Sequence, residues 1–266
     1  MIWCYDYKNS PNFLILCVSD GGIQGKDKKM KKTEALEKLF DQWSAAHKFE
    51  VFCKDGIVDE KTYNEQELNV LLILKDVNNA KPGEEVDLRK SLVTRTDEGR
   101  TWFNAARWCS GLLGEKYDKT KYMDSLKQHE VMKRVAVINL KKEAGGARAS
   151  DECILTYSKN DAEQIRKEIE ICNPDLVITC GRVVFECLKN IIYEFKPDEG
   201  NLYGKVVFDG KMNKYGNYFD ISKFLHKEKP VYIVEYRHPN QATLQGTLAE
   251  HYENMLKIRD FVLDKQ

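Results

Sequence analysis

The chain has 266 residues, with 42 basic against 42 acidic side chains and 32% charged content. That length suits one large α/β domain or two small ones and builds a core without disulfides, while 11% aromatic content argues against disorder. A zero net charge gives no support to a polyanionic partner, but it leaves room for a local basic rim offset by acids elsewhere. The eight cysteines form no Cys-x-x-Cys pair and sit mostly in apolar segments, so they read as buried thiols of a reducing compartment. Met1–Ser10 has neither a basic start nor an apolar stretch, and no apolar run approaches the ~18 residues of a membrane span. The expectation is a cytoplasmic protein without membrane contact.

In chain order, Phe13–Val18 reads as a short strand, followed by a Gly- and Lys-rich linker from Asp20 to Lys32. Thr33–His47 reads as an amphipathic helix capped by Thr33, with Leu36, Leu39, Phe40 and Trp43 on one face. Val70–Leu74 is a strand, Thr101–Leu113 a helix, Val135–Ile138 a strand, and Ser158–Cys172 a helix stopped by Asn173-Pro174. Leu176–Thr179 is a strand, Val183–Ile192 a helix, Leu202–Phe219 a hairpin or loop excursion, Val231–Val234 a strand, and Thr247–Leu263 the last helix. Short apolar strands alternating with amphipathic helices predict one three-layer α/β domain, 68–266, around a mostly parallel four-stranded sheet. Residues 1–67 form an N-terminal extension packed on it.

Ligands of open parallel sheets bind beyond the carboxyl ends of the strands. The strand exits here carry Lys75-Asp76-Val77-Asn78, then Asn139-Leu140-Lys141-Lys142, then Cys180-Gly181-Arg182, then Arg237-His238-Pro239-Asn240. A carboxylate (Asp76), an amide (Asn139) and an imidazole (His238) at one end of one sheet can polarise a water, read a planar ligand and donate to a leaving anion.

In that order these residues resemble the uracil-DNA glycosylase superfamily. Glu168–Leu188 is similar to the family's helix, Pro, strand, Gly, helix unit, and His238-Pro239-Asn240 matches its His-Pro-Ser motif. Val137–Lys141 resembles the strand ending in the base-reading Asn. Leu74–Asn78 occupies the place of the Gly-Gln-Asp-Pro-Tyr motif and shares only its Asp. The resemblance spans roughly residues 68–262 and implies a uracil-DNA glycosylase-like fold, with base flipping and hydrolysis of an N-glycosidic bond to leave an abasic site.

By that resemblance Asp76 matches the water-activating carboxylate, His238 the group that hydrogen-bonds the departing base, and Asn139 the reader of the Watson–Crick edge. Trp102, with Phe103 second, is the candidate stacker, although Trp102 also fits a core position on its helix. Asn240 and Gln241 stand where the family inserts its wedge. The family's iron–sulfur members carry a Cys just after the base-reading Asn; Lys141-Lys142 stands there instead, so no cofactor is expected. Val77 and Asn78 replace a Tyr that closes the pocket toward C5 of the base, so the expected substrate is uracil or a C5-modified pyrimidine, in repair or in defence against foreign DNA.

DNA is the expected partner of a monomer, gripped by a basic rim drawn from Lys75, Lys81, Arg89, Lys90, Arg95, Arg100, Lys141, Lys142, Arg148, Arg182 and Arg237, with the Gly181 backbone at a helix start. Two alternatives remain: a DNA-binding relative with weak or absent catalysis, in which Lys75 neutralises Asp76, and a hydrolase of free nucleotides or nucleosides.

Overall fold

The computed structural model describes residues 31–47, 49–78, 84–94, 99–116, 123–145, 149–196, 203–208, 214–240 and 247–266. The strand expected at Phe13–Val18 and nearly all of the Gly/Lys linker lie outside them. Lys31–Gln266 forms one compact unit.

In chain order the elements are α1 (Lys32–His47), β1 (Cys53–Lys54), β2 (Gly56–Ile57), α2 (Glu60–Asn64), β3 (Val70–Asn78), β4 (Val86–Asp87), α3 (Leu88–Thr94), α4 (Gly99–Leu112) and α5 (Ser125–Met132). They continue with β5 (Ala136–Gly145), α6 (Asp151–Asn160), α7 (Ala162–Cys172), β6 (Leu176–Cys180), α8 (Arg182–Cys187) running into a π-helical turn at Leu188–Ile192, β7 (Tyr203–Lys205), β8 (Asn217–Asp220), β9 (Tyr232–Tyr236) and α9 (Leu248–Leu263).

The chain is α/β, and its main sheet is larger than the four strands expected. Seven strands run in the order β2-β5-β3-β6-β9-β8-β7. The four predicted strands are the inner ones, and their mutual pairings are parallel. β2 adds an antiparallel strand outside β5, and the hairpin β7–β8 adds two outside β9, making the sheet mixed. These edge strands are short and half polar, so apolar runs do not announce them.

Alternation divides each inner strand between two cores. Val70, Leu72 and Leu74 of β3, with Val137, Ile178 and Val234, face α3, α4, α5 and α9. Leu71 and Ile73, with Ile138, Val177 and Ile233, face α1, α6, α7 and α8. Leu36, Leu39, Phe40 and Trp43 of α1 are all buried in the second core.

Three local expectations change. Thr33 does not cap α1; the Glu60 carboxylate of α2 does, accepting from the Lys32 and Thr33 N–H groups at 2.9 Å each and from Thr33 Oγ1 at 2.7 Å. The helix expected at Ser158–Cys172 is two helices meeting at Asp161, and Ser150 caps the first by accepting from the Cys153 N–H. β3 and β5 outrun their apolar stretches because they continue to bond each other, pairing Leu74 with Asn139 and Asp76 with Lys141 before a register shift toward Asn78. Asn139, Lys141 and Lys142 therefore lie inside a strand and not beyond its end.

Cys53, Cys109, Cys172, Cys180 and Cys187 are buried thiols, and Cys153 is a partly buried one. Among the described residues no helix is long and apolar enough to cross a membrane.

Candidate functional site

The four inner strands follow the sequential order second, first, third, fourth. The connections reverse between β3 and β6, the switch point beyond whose strand ends open α/β sheets bind ligands in a crevice. In register, Ile73 lies opposite Thr179 and Thr179 opposite Glu235. Asp76 follows Ile73 by three residues on β3, and His238 follows Glu235 by three just past the end of β9, so each leaves the carboxyl end of a strand that flanks β6.

Gly181, at the β6 exit, is held by hydrogen bonds from its N–H to the Thr179 carbonyl (3.1 Å) and the Tyr236 carbonyl (2.9 Å). Its φ of +118° is one that side chains rarely adopt, and a Cβ there would meet nothing within 4 Å.

Asp76 is half buried. Its Oδ2 is enclosed without a hydrogen-bond partner among the described residues, a costly state for a carboxylate oxygen unless a water or ligand meets it. Burial pushes the carboxyl above its ordinary range, against the Lys141 charge, the Ala149 N–H and, least, Lys75. Asn139, beside Leu74 on the same face of the sheet, is 1% exposed. Asp55, just before β2, accepts from its backbone N–H at 2.8 Å and from its Nδ2 at 3.3 Å.

His238 Nδ1 accepts from the Asn240 N–H at 3.2 Å, which selects the neutral tautomer with its proton on Nε2. The turn that carries it is pinned from α4, where buried Asn104 donates from Nδ2 to the Pro239 carbonyl at 2.7 Å. Behind the turn, the Tyr236 hydroxyl bonds His251 Nδ1 and receives Asn254 Nδ2, and its ring packs edge-on against Trp108.

The chain matches no protein-family model, and no curated protein matches its sequence.

The structure therefore gathers Asp76, Asn139, Gly181 and His238 at one sheet end. Trp102 and Phe103 lie in the first turns of α4, whose Asn104 reaches that end. Both rings are half buried against the core on that face, and Phe103 carries the Arg107 guanidinium 4.3 Å above its ring. Asn240 is exposed beside His238, and Arg182 is exposed beyond Gly181, only 4.0 Å from Glu186. Arg148 and Gln241 lie outside the described residues, as does the Asn78 side chain.

Other members of the expected rim are withdrawn from the surface. Lys142 is fully buried and ion-paired with Asp55 and, at 2.7 Å, with Glu168, its ammonium 5.4 Å from the Trp43 ring. It cannot touch DNA, because strand alternation turns it into the core beneath α1 and α7. Arg237 is 2% exposed, its guanidinium 5.1 Å from the Tyr215 ring. Arg89 is buried and paired with Asp87 and Glu37. Lys75 points to the face away from the crevice and pairs with Asp151 of α6. Lys141 is buried, donating to the Glu143 carbonyl with its ammonium 5.0 Å from the Tyr157 ring, and serves Asp76 electrostatically. Lys90, Arg100 and Arg182 remain exposed, and Lys81 and Arg95 lie outside the described residues.

Two working residues were not foreseen. Asn104 had a readable signal, a lone amide flanked by Ala105, Ala106 and Trp108 on the buried face of a helix. Asp55 had none, since Asp55-Gly56 reads locally as an ordinary turn.

Proposed function

We propose that the chain is a DNA glycosylase of uracil-DNA glycosylase-like fold, hydrolysing the N-glycosidic bond of a flipped-out pyrimidine. The observation that carries this reading is the presence, at the carboxyl ends of the two strands that flank β6, of a carboxylate whose buried Oδ2 has no partner among the described residues and a histidine whose Nδ1 accepts from the Asn240 N–H. Asp76 accepts a proton from the attacking water, and its charge stabilises the cationic sugar that forms as the bond to the base breaks. His238 donates from Nε2 toward the base anion. Asn139 reads the base edge, and Trp102 or Phe103 supplies a stacking ring.

Uracil and C5-substituted pyrimidines are the substrate class, since Val77 and Asn78 stand where a closing Tyr would be. The enzyme acts as a monomer in the cytoplasm, in repair or in defence against foreign DNA. The test is abasic-site formation on oligonucleotides carrying uracil or 5-substituted cytosine, by wild type and by Asp76→Asn. Product from wild type and none from the variant supports the proposal; no product from wild type on either substrate overturns it.

The withdrawal of Lys142, Arg237 and Arg89 from the surface favours a second reading, a hydrolase of free nucleotides or nucleosides using the same crevice. Cleavage of free nucleotides without competition by duplex DNA would select it.

A further inference from the structure

Beneath the base-reading strand lies a fully buried ionic cluster that the proposed reaction does not use. Lys142 is 0% exposed and sits between two equally enclosed carboxyl groups, Asp55 and Glu168. Burial opposes its charge, and the two carboxyl groups outweigh that effect. Burial drives the Glu168 carboxyl well above its ordinary range, against the pull of Lys142 and with the help of the neighbouring Asp55 carboxyl, to which it is hydrogen-bonded.

Buried ion pairs are weak contributors to stability, because desolvation offsets their attraction. This one has a geometric consequence. Asp55 spends Oδ1 on Lys142 and turns Oδ2 to Asn139, meeting both its backbone N–H at 2.8 Å and its Nδ2 at 3.3 Å. A carboxylate oxygen that already meets one N–H, as Oδ2 meets that of Asn139, faces the amide beside it as an acceptor. A 180° flip of the Asn139 amide would set its carbonyl oxygen against Oδ2, two acceptors without a proton in a buried place. The amide therefore has one stable orientation, Nδ2 toward the strand edge.

We infer that Asp55 is a positioning residue that locks the Asn139 amide, so that its carbonyl oxygen is offered to a bound base and pyrimidines are selected by an N–H at the matching edge. The inference rests on the reading of Asn139 as the base reader. It also gives residues 53–57 a role at the site, since β2 carries Asp55 to the β5 edge.

Two measurements separate this inference from the reading beneath it. The first needs no activity: the side-chain amide protons of Asn139, assigned by their loss in Asn139→Asp, are followed by hydrogen exchange in the wild-type protein. Exchange slowed at least about tenfold relative to exposed asparagine side chains is expected; exchange at the exposed rate overturns the lock whether or not any base is released. The second compares kcat/KM for uracil and 5-substituted cytosine oligonucleotides in wild type, Asp55→Asn and Glu168→Gln. An amide at position 55 tolerates either orientation of Asn139, so the ratio of the two substrates should shift about tenfold or more in Asp55→Asn and stay put in Glu168→Gln. An unchanged ratio in a folded Asp55→Asn protein overturns the inference while leaving the glycosylase reading standing. Should Asp55→Asn fail to fold, the wild-type exchange rate decides.

Discussion

Asn104 and Pro239, 135 positions apart in the chain, are joined by a 2.7 Å hydrogen bond from the Asn104 side chain to the Pro239 carbonyl. Both partners are buried, and the bond fixes the turn that carries His238. Asn104→Leu leaves that carbonyl unmet, at a cost of about 1–3 kcal/mol. The expected outcome is a lowered thermal midpoint together with a fall in base release, because the imidazole loses its position. Full activity in a destabilised variant would show that the turn is held by other contacts.

Asp76→Asn should lower kcat for base release by about 100-fold or more, and His238→Leu by a comparable amount, the range of a lost general base or donor. DNA affinity should change little in either variant. Single-turnover kinetics with a separate binding titration resolves the two effects, and equal losses in binding and turnover would contradict the assigned roles.

The acid limb of kcat/KM reports Asp76 when it must be ionised to accept a proton. Burial raises its pKa above the ordinary 3.8, so the limb should lie above that value. The Lys141 charge favours the ionised form, and removing it in Lys141→Met should move the limb to higher pH. Lys75, the smallest contributor, should move it less. A limb that stays in place in Lys141→Met would separate it from Asp76.

Lys142 and Arg182 should behave oppositely toward DNA. Lys142→Met strands two buried carboxyl groups and should cost about 3–5 kcal/mol of stability without altering the salt dependence of binding. Arg182→Ser should be neutral for stability and reduce the slope of log affinity against log salt by about 1. Denaturant unfolding and binding titrations at several salt concentrations check both.

Asp161, between α6 and α7, faces His47 at 3.0 Å from the end of α1. Burial raises its carboxyl from 3.8 to about 6, against His47 and Trp43. A carboxyl whose folded pKa lies above its unfolded one binds its proton more tightly when folded. Its contribution is therefore complete below the unfolded value and is lost as pH rises through about 6. Wild type should lose stability relative to Asp161→Asn across that window, while Asp76, Glu168 and Glu235, also raised, cancel in the difference. Thermal midpoints of the two proteins at several pH values give the curve; parallel lines would contradict it.

The sequence by itself determined the alternation of strands and helices and the residue types at the strand ends. Periodicity and apolar runs are local properties, and Val70–Leu74, Leu176–Thr179 and Val231–Val234 announce themselves by burial on both faces. It determined Gly181 too, since a chain leaving a strand at φ +118° has no comfortable alternative residue.

Only the tertiary structure decided which way the polar residues of those strand ends face. Lys141 and Lys142 are neighbours in sequence, yet one lies beside Asp76 and the other beneath Trp43, because successive side chains of a strand point to opposite faces. The register that extends β5 past Asn139 is set by pairing with β3, and the Asn139 amide is set by Asp55, 84 positions earlier. Such contacts join residues that no local pattern relates, and the charge of a buried lysine looks in sequence like that of an exposed one until the chain closes over it.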